Sequence, residues 1–229
     1  MKYILLNLLF ITALSFSQKR EFVFDYLLEY EITFHKQNFT EAKYYLTNSK
    51  DNSYVGILKE ADSSFFELVL RHHGKAYSKV KLLKSEFYKS RFINISCKNV
   101  EIQTKKIKIK DNILESTKDT LIEGNNYYLH KIELKNKPKK EKRKKGLITK
   151  YYIISKTSVN HLPVFEGIYG YERWLKYENM PNGIYNQQLQ IDLLNQPHAT
   201  EILQSYHNID KKIMILGDCP EPIKFNTRF

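Results

Sequence analysis

Glycine and proline are scarce in this sequence, eight and six of 229 residues. That excludes collagen-like and Gly/Pro-rich disordered chains, and it argues against a fold built mainly of loops. Cysteine is nearly absent, with Cys97 and Cys219 alone, so neither a disulfide-dense scaffold nor a four-cysteine zinc site can be built. No apolar run reaches the ~20 residues a membrane-spanning helix needs. The chain also lacks a glycine-rich phosphate loop, a Gly-x-Ser-x-Gly elbow and a His-Glu-x-x-His pair. Its seven histidines are scattered, and adjacent His72 and His73 would point to opposite faces of a strand. No metal or cofactor is therefore expected, and an enzyme is not expected either.

What is present begins at the N-terminus. After Lys2, an 11-residue apolar stretch from Ile4 to Leu14 precedes Ser15 and Ser17, the small residues at −3 and −1 of a signal-peptide cleavage site. The pattern predicts a signal peptide over 1–17 and a mature chain that starts at Gln18, as one domain over 18–229. No cysteine follows the apolar stretch, which excludes an N-terminal lipid anchor. Thirty-seven Lys and Arg against 25 Asp and Glu give a formal charge of +12. A balance this basic implies an anionic partner. Export removes nucleic acid from consideration and leaves anionic lipid, acidic glycans or an acidic envelope protein.

Aromatic residues make up 14% of the chain, and they alternate as strands require. Phe22, Phe24, Tyr26, Leu28, Tyr30, Ile32 and Phe34 are expected on one face of a strand, while Asp25, Glu29, Glu31 and Thr33 fall on the other. This predicts one unusually long strand, of the kind found in large twisted or curved sheets. Segments 43–48 and 53–59 read as a hairpin, and 65–71 with 76–82 as a second. Residues 83–93 fit helix or strand. Further strands are expected around Ile107 and Ile109, over 128–135, over 147–155, and over 188–193, where Leu189, Ile191 and Leu193 alternate with Gln188, Gln190 and Asp192. Near the end, Ile202, Leu203, Tyr206, Ile209 and Ile213 follow Asn195 and Pro197 at helical spacing, which predicts a helix.

Two segments stand apart. Residues 137–146 hold seven cations and one acid between strand patterns, a solvated loop in which Lys139, Lys140, Lys142, Arg143, Lys144 and Lys145 are candidates for contact with an anionic membrane surface. Residues 162–185 concentrate Phe165, Tyr169, Tyr171, Trp174, Tyr177 and Tyr185. Most aromatic clusters are core, but Phe165, Tyr169, Tyr171, Trp174 and Tyr177 are also candidates for a half-wet wall that meets an acyl chain or a sugar ring. Cys97 and Cys219 either pair, closing a long loop, or remain as two buried thiols.

The expected architecture is mainly β, a long curved antiparallel sheet or half-barrel with one or two helices. With the export signal, the Tyr-containing first strand from Phe24 to Phe34, the hairpin Tyr44-Tyr45-Leu46-Thr47-Asn48-Ser49 into Ser53-Tyr54 and the basic balance, this plan resembles the exported half-barrel proteins of Gram-negative envelopes, LolA-like lipoprotein carriers and GLPGLI-like secreted proteins. The GLPGLI signature itself is absent; His161-Leu162-Pro163-Val164-Phe165 shares only Leu-Pro with it. The resemblance implies a location in the periplasm, at the outer-membrane periphery or outside the cell, and a concave sheet face that holds a lipid or a lipoprotein acyl chain. A structural or interaction protein with a filled sheet is the alternative, and an envelope hydrolase a third.

Overall fold

The computed structural model describes residues 20–103, 113–134, 149–157, 160–192, 194–217 and 219. The expected signal peptide, the alternation at Ile107 and Ile109, and the basic run 137–146 lie outside the described residues. The elements in chain order are β1 (Arg20–Phe34), β2 (Phe39–Thr47), β3 (Tyr54–Glu60), β4 (Phe65–His72), β5 (Ala76–Leu83), α1 (Lys84–Lys89), β6 (Phe92–Ser96), a 3-10 turn (Cys97–Asn99), β7 (Val100–Ile102), β8 (Ile113–Ile122), β9 (Asn125–Leu134), β10 (Thr149–Ser155), α2 (Ile168–Tyr177), β11 (Tyr185–Ile191) and β12 (Pro197–Leu216). Among the described residues, twelve strands form one large open sheet in the order β7, β5, β4, β3, β2, β1, β12, β11, β10, β9, β8, with β6 beside β12. Pairing is antiparallel except between β6 and β12. The protein is a single, mainly β domain, as its alternation predicts, with two helices among the described residues.

Local chemistry explains the tighter joints. Glu123 and Gly124 join β8 to β9 with φ of 49° and 79°, a two-residue loop whose positive φ values match the twist of paired strands. The ambiguous stretch 83–93 contains both answers, α1 and the start of β6. Lys211 of β12 is buried against α1, donating to the carbonyls of Phe87 and Ser90 at its C-terminal end, with its ammonium 4.6 Å from the Phe87 ring centroid. A cation there satisfies carbonyls the helix itself cannot.

Both faces of the sheet are covered at its centre. In β3, Tyr54 and Leu58 belong to a cluster with Phe22, Phe24, Leu46, Leu68 and Phe87, on the face covered by α1. Their neighbours Val55 and Ile57 join Leu28, Tyr30, Tyr45, Phe165, Met180 and Ile184 on the opposite face, covered by the segment around α2. That is why residues 54–58 are all buried. The long alternation of β1 divides between these clusters: its ladder with β12 shifts register between Phe24 and Tyr26, and the side chains on either side of the shift pack on different faces.

The expected helix over 202–213 is instead the middle of β12. Leu203 pairs with Tyr30 and Tyr206 with Leu28, so both stand on the same face, yet they are three residues apart because Gln204 is an extra residue with no counterpart in β1. A strand bulge thus imitates the i, i+3 spacing of a helix. The alternation is further disguised because Glu201 and Lys211 occupy buried positions while Ile202 and Tyr206 are exposed.

Candidate functional site

The cross-strand register sets the site. On the α2 face, His130, Tyr152, Gln188 and Glu201 stand side by side on β9, β10, β11 and β12. One step along, Ile132 pairs with Lys150. Segment 161–184 lies across this face and is tied down by polar contacts: the His161 ring to Thr47 Oγ1 at 2.9 Å, Asn52 to the Pro163 carbonyl at 3.0 Å, Arg71 to the Glu166 carbonyl at 2.7 Å, and Leu162 N–H to the Ser49 carbonyl at 3.0 Å.

Beneath the segment lies a buried polar network. Glu201, 2% exposed, accepts hydrogen bonds from Tyr45 at 2.7 Å, Gln188 at 2.7 Å and Tyr185 at 3.1 Å. Glu166 accepts from Lys43 and from Tyr45. The single Tyr45 proton therefore serves one carboxylate at a time. Lys43 is also 3.5 Å from Glu201. Burial alone would raise the Glu166 carboxyl, but the Lys43 ammonium and the Tyr45 hydroxyl hold it below the usual carboxylate range. Tyr30, Tyr45, Tyr152 and Tyr185 are pushed up, chiefly by burial and then by nearby charge, so these phenols stay protonated. A network so fully satisfied is a rigid floor.

Beside this floor opens a cavity of about 270 Å³, lined by Ile132, Lys150 and Tyr152 from β9 and β10, Tyr185 and Gln188 from β11, and Val164, Phe165, Glu166, Gly167, Tyr169 and Gly170 from the covering segment. Most of the wall is aromatic or aliphatic. α2 begins at this wall, and its N-cap, Gly167, has no side chain to offer. A second polar group pins α2 to the edge strand: Arg173 binds Glu115 and the Ile113 carbonyl, at 3.1 Å for the latter, next to fully buried His130.

Of the five aromatic candidates, Phe165 and Tyr169 line the cavity. Tyr171 stacks on His73 at 4.8 Å, Trp174 packs 6.0 Å from Phe165, and Tyr177 lies exposed beside Arg173 and Lys176. The basic candidates from Lys139 to Lys145 lie outside the described residues. Cys97 and Cys219 are joined in a disulfide, with Cα atoms 4.7 Å apart and 122 residues between them in sequence. Among the described residues, no group of three His, Cys, Asp or Glu is placed to hold a metal ion.

Sequence reasoning missed Lys150, Tyr152, Glu166 and Gln188. In β11 the leucine positions suggest the inward face, yet Gln188 is 3% exposed and Leu189 only half-buried. The inward position is polar because Glu201 across the ladder needs a donor. That signal exists only once strands are paired.

No protein-family model and no curated protein matches the chain in sequence. Solved structures do. A chain of the Pseudomonas aeruginosa MucA/MucB complex is 6% identical with a TM-score of 0.38, over 89% of this chain and 54% of that one. A chain of a structure of MucB bound to MucA(peri) is 6% identical with a TM-score of 0.39, over 86% and 52%. A domain from Vibrio parahaemolyticus described as an outer membrane lipoprotein-sorting protein is 9% identical with a TM-score of 0.32, over 80% and 85%. The chain spans about half the length of the first two. A lipoprotein-sorting domain, the family its strand pattern resembles, is thus among its structural neighbours.

Proposed function

We propose that the protein is an exported, non-enzymatic binding protein of a Gram-negative cell envelope, which seats the apolar part of a lipid-like ligand in the cavity beside α2. The observation that carries this reading is the cavity itself, a mostly apolar space bordered by fixed polar groups. An apolar cavity of about 150 Å³ already holds benzene, and drug-sized sites begin near 300 Å³. A volume of about 270 Å³ therefore suits one ring or one segment of a single acyl chain. Six buried methylenes would contribute about 5 kcal/mol. Export is supported by the N-terminal pattern and fits the Cys97–Cys219 disulfide, which persists in oxidising compartments.

A second reading, an interaction protein whose sheet is filled by its own side chains, is favoured by the Lys43, Tyr45, Glu166 and Glu201 network that occupies much of the same face. Native mass spectrometry of protein purified from its own envelope separates the two. Co-purified single-chain lipid and a mature mass that starts at Gln18 are expected. A variant supplies the control: a Cβ at Gly167 would meet nothing within 4 Å, so Gly167→Leu should fill the cavity without strain and lose the lipid while remaining folded. Protein that carries no ligand, or ligand retained by that variant, refutes the cavity reading.

A further inference from the structure

We propose that the ligand's head group is anionic, a carboxylate or phosphate on a single alkyl chain, and that Lys150 receives it. This deepens the reading above, since it assumes that the cavity holds the chain. Lys150 stands on β10 between Ile132 of β9 and Gln190 of β11, and lines the cavity. The other lining charge, Glu166, is already engaged by Lys43 and Tyr45. Lys150 acts on the Glu166 carboxylate only at a distance: among the described residues, no hydrogen bond or ion pair within 4.0 Å engages its ammonium.

Charge counting around the site points the same way. Lys43 pairs with Glu166 and lies 3.5 Å from Glu201, Arg71 donates to the Glu166 backbone carbonyl, and Lys150 helps hold the Glu166 carboxyl low, three cations around two carboxylates, while the neighbouring Arg173 and Glu115 neutralise each other. His130 beside them is held neutral by burial. The surplus is one positive charge. A neutral ligand would leave that charge uncompensated, and a cationic one would double it. An anion with its chain on Tyr152, Phe165 and Tyr169 would match both the charge and the wall.

The test uses purified full-length protein and four ten-carbon probes below their micelle concentrations: decanoate, decyl phosphate, decanol and decyltrimethylammonium. Binding is followed by calorimetry and by fluorescence of Trp174, the single tryptophan, 6.0 Å from Phe165. The anions should bind about tenfold more tightly than decanol, the gain typical of a charge-assisted hydrogen bond, and the ammonium more weakly than decanol. The two anionic arms distinguish a fatty-acid head from a phosphate head. Lys150→Met should bring the anions to the decanol level with decanol unchanged. Equal binding of decanol and anions by the native protein, or anion preference that survives Lys150→Met, overturns this proposal and leaves the cavity reading intact. If no probe binds, both fail. Should Lys150→Met lose decanol as well, Lys150→Arg decides: preference retained supports the assignment, and preference lost refutes it.

Discussion

Lowering the pH from 7.5 to 5.0 should destabilise the fold by at least about 4 kcal/mol, chiefly through His73 and His130, while burial also lowers His72 and fully buried His161 and adds to the loss in the same direction. His130 is fully buried, with Nδ1 2.8 Å from Thr117 Oγ1 and Nε2 without a hydrogen-bond partner. Its nearest carboxylate, Glu115 at 4.0 Å, is already taken by Arg173. His73, 5% exposed, lies flat on the Tyr171 ring. Burial lowers each to about 4, from an ordinary value of 6.5. Because the unfolded chain binds these protons first, stability rises with pH between about 4 and 6.5. The contribution is fully present above 6.5 and is lost as pH falls. At about 1.4 kcal/mol per pH unit, roughly one and a half units of that window are crossed by pH 5, or about 2 kcal/mol for each histidine. Urea unfolding at stepped pH measures the loss directly, and His130→Gln should remove about 2 kcal/mol of it. A free energy of unfolding that stays level between pH 7.5 and 5.0, or an NMR titration that places His130 near 6.5 in the folded protein, would refute the reasoning.

Three further expectations are open to simple measurements. Tyr30→Asp should cost several kcal/mol, because it puts a carboxylate among Leu28, Tyr45 and Tyr185 and removes the 2.8 Å bond to the Tyr185 carbonyl, whereas Glu31→Lys on the exposed face should stay within about 0.5. Equal costs in denaturant melts would mean that the two faces are misassigned. Reduction of the Cys97–Cys219 bridge, or the double alanine variant, should lower stability by up to about 5 kcal/mol on a chain-entropy view of so long a loop; an unchanged urea midpoint in reductant contradicts that. Replacing residues 137–145 with a Gly/Ser tip should leave folding nearly intact and weaken salt-sensitive binding to vesicles that contain anionic lipid. Unchanged vesicle binding at low salt removes the proposed electrostatic role, and loss of folding removes the surface-loop reading too.

Much of the sheet is legible in the chain because its hairpins are local. The strands β2 to β5, β9 and β10 announce themselves by alternation and turn residues within windows of about ten residues. The β12 strand does not, because its inward positions include Glu201 and Lys211, and its bulge at Gln204 spaces Leu203 and Tyr206 as a helix would. The candidate site is less legible still. Phe165 and Tyr169 stand out as part of an aromatic cluster, but Lys150, Tyr152 and Gln188 acquire meaning only from their neighbours across the ladder. Nothing in a linear pattern distinguishes Lys150 at a cavity from the many lysines in water.

The position of β12 bears on when this protein can finish folding. Strands β1 to β5 and β8 to β11 form two meanders of near neighbours in sequence, and among the described strands β12 alone joins them within the sheet, with β1 on one side and β11 on the other. Phe22 must wait for Ile213 before its side of the ladder exists. Contacts of such long sequence separation form slowly. The two meanders can assemble locally, but the completed sheet depends on β12, which follows both of them in chain order. The cavity wall, which needs both β10 and the network anchored on Glu201, is therefore completed only when the last-joining strand is in place.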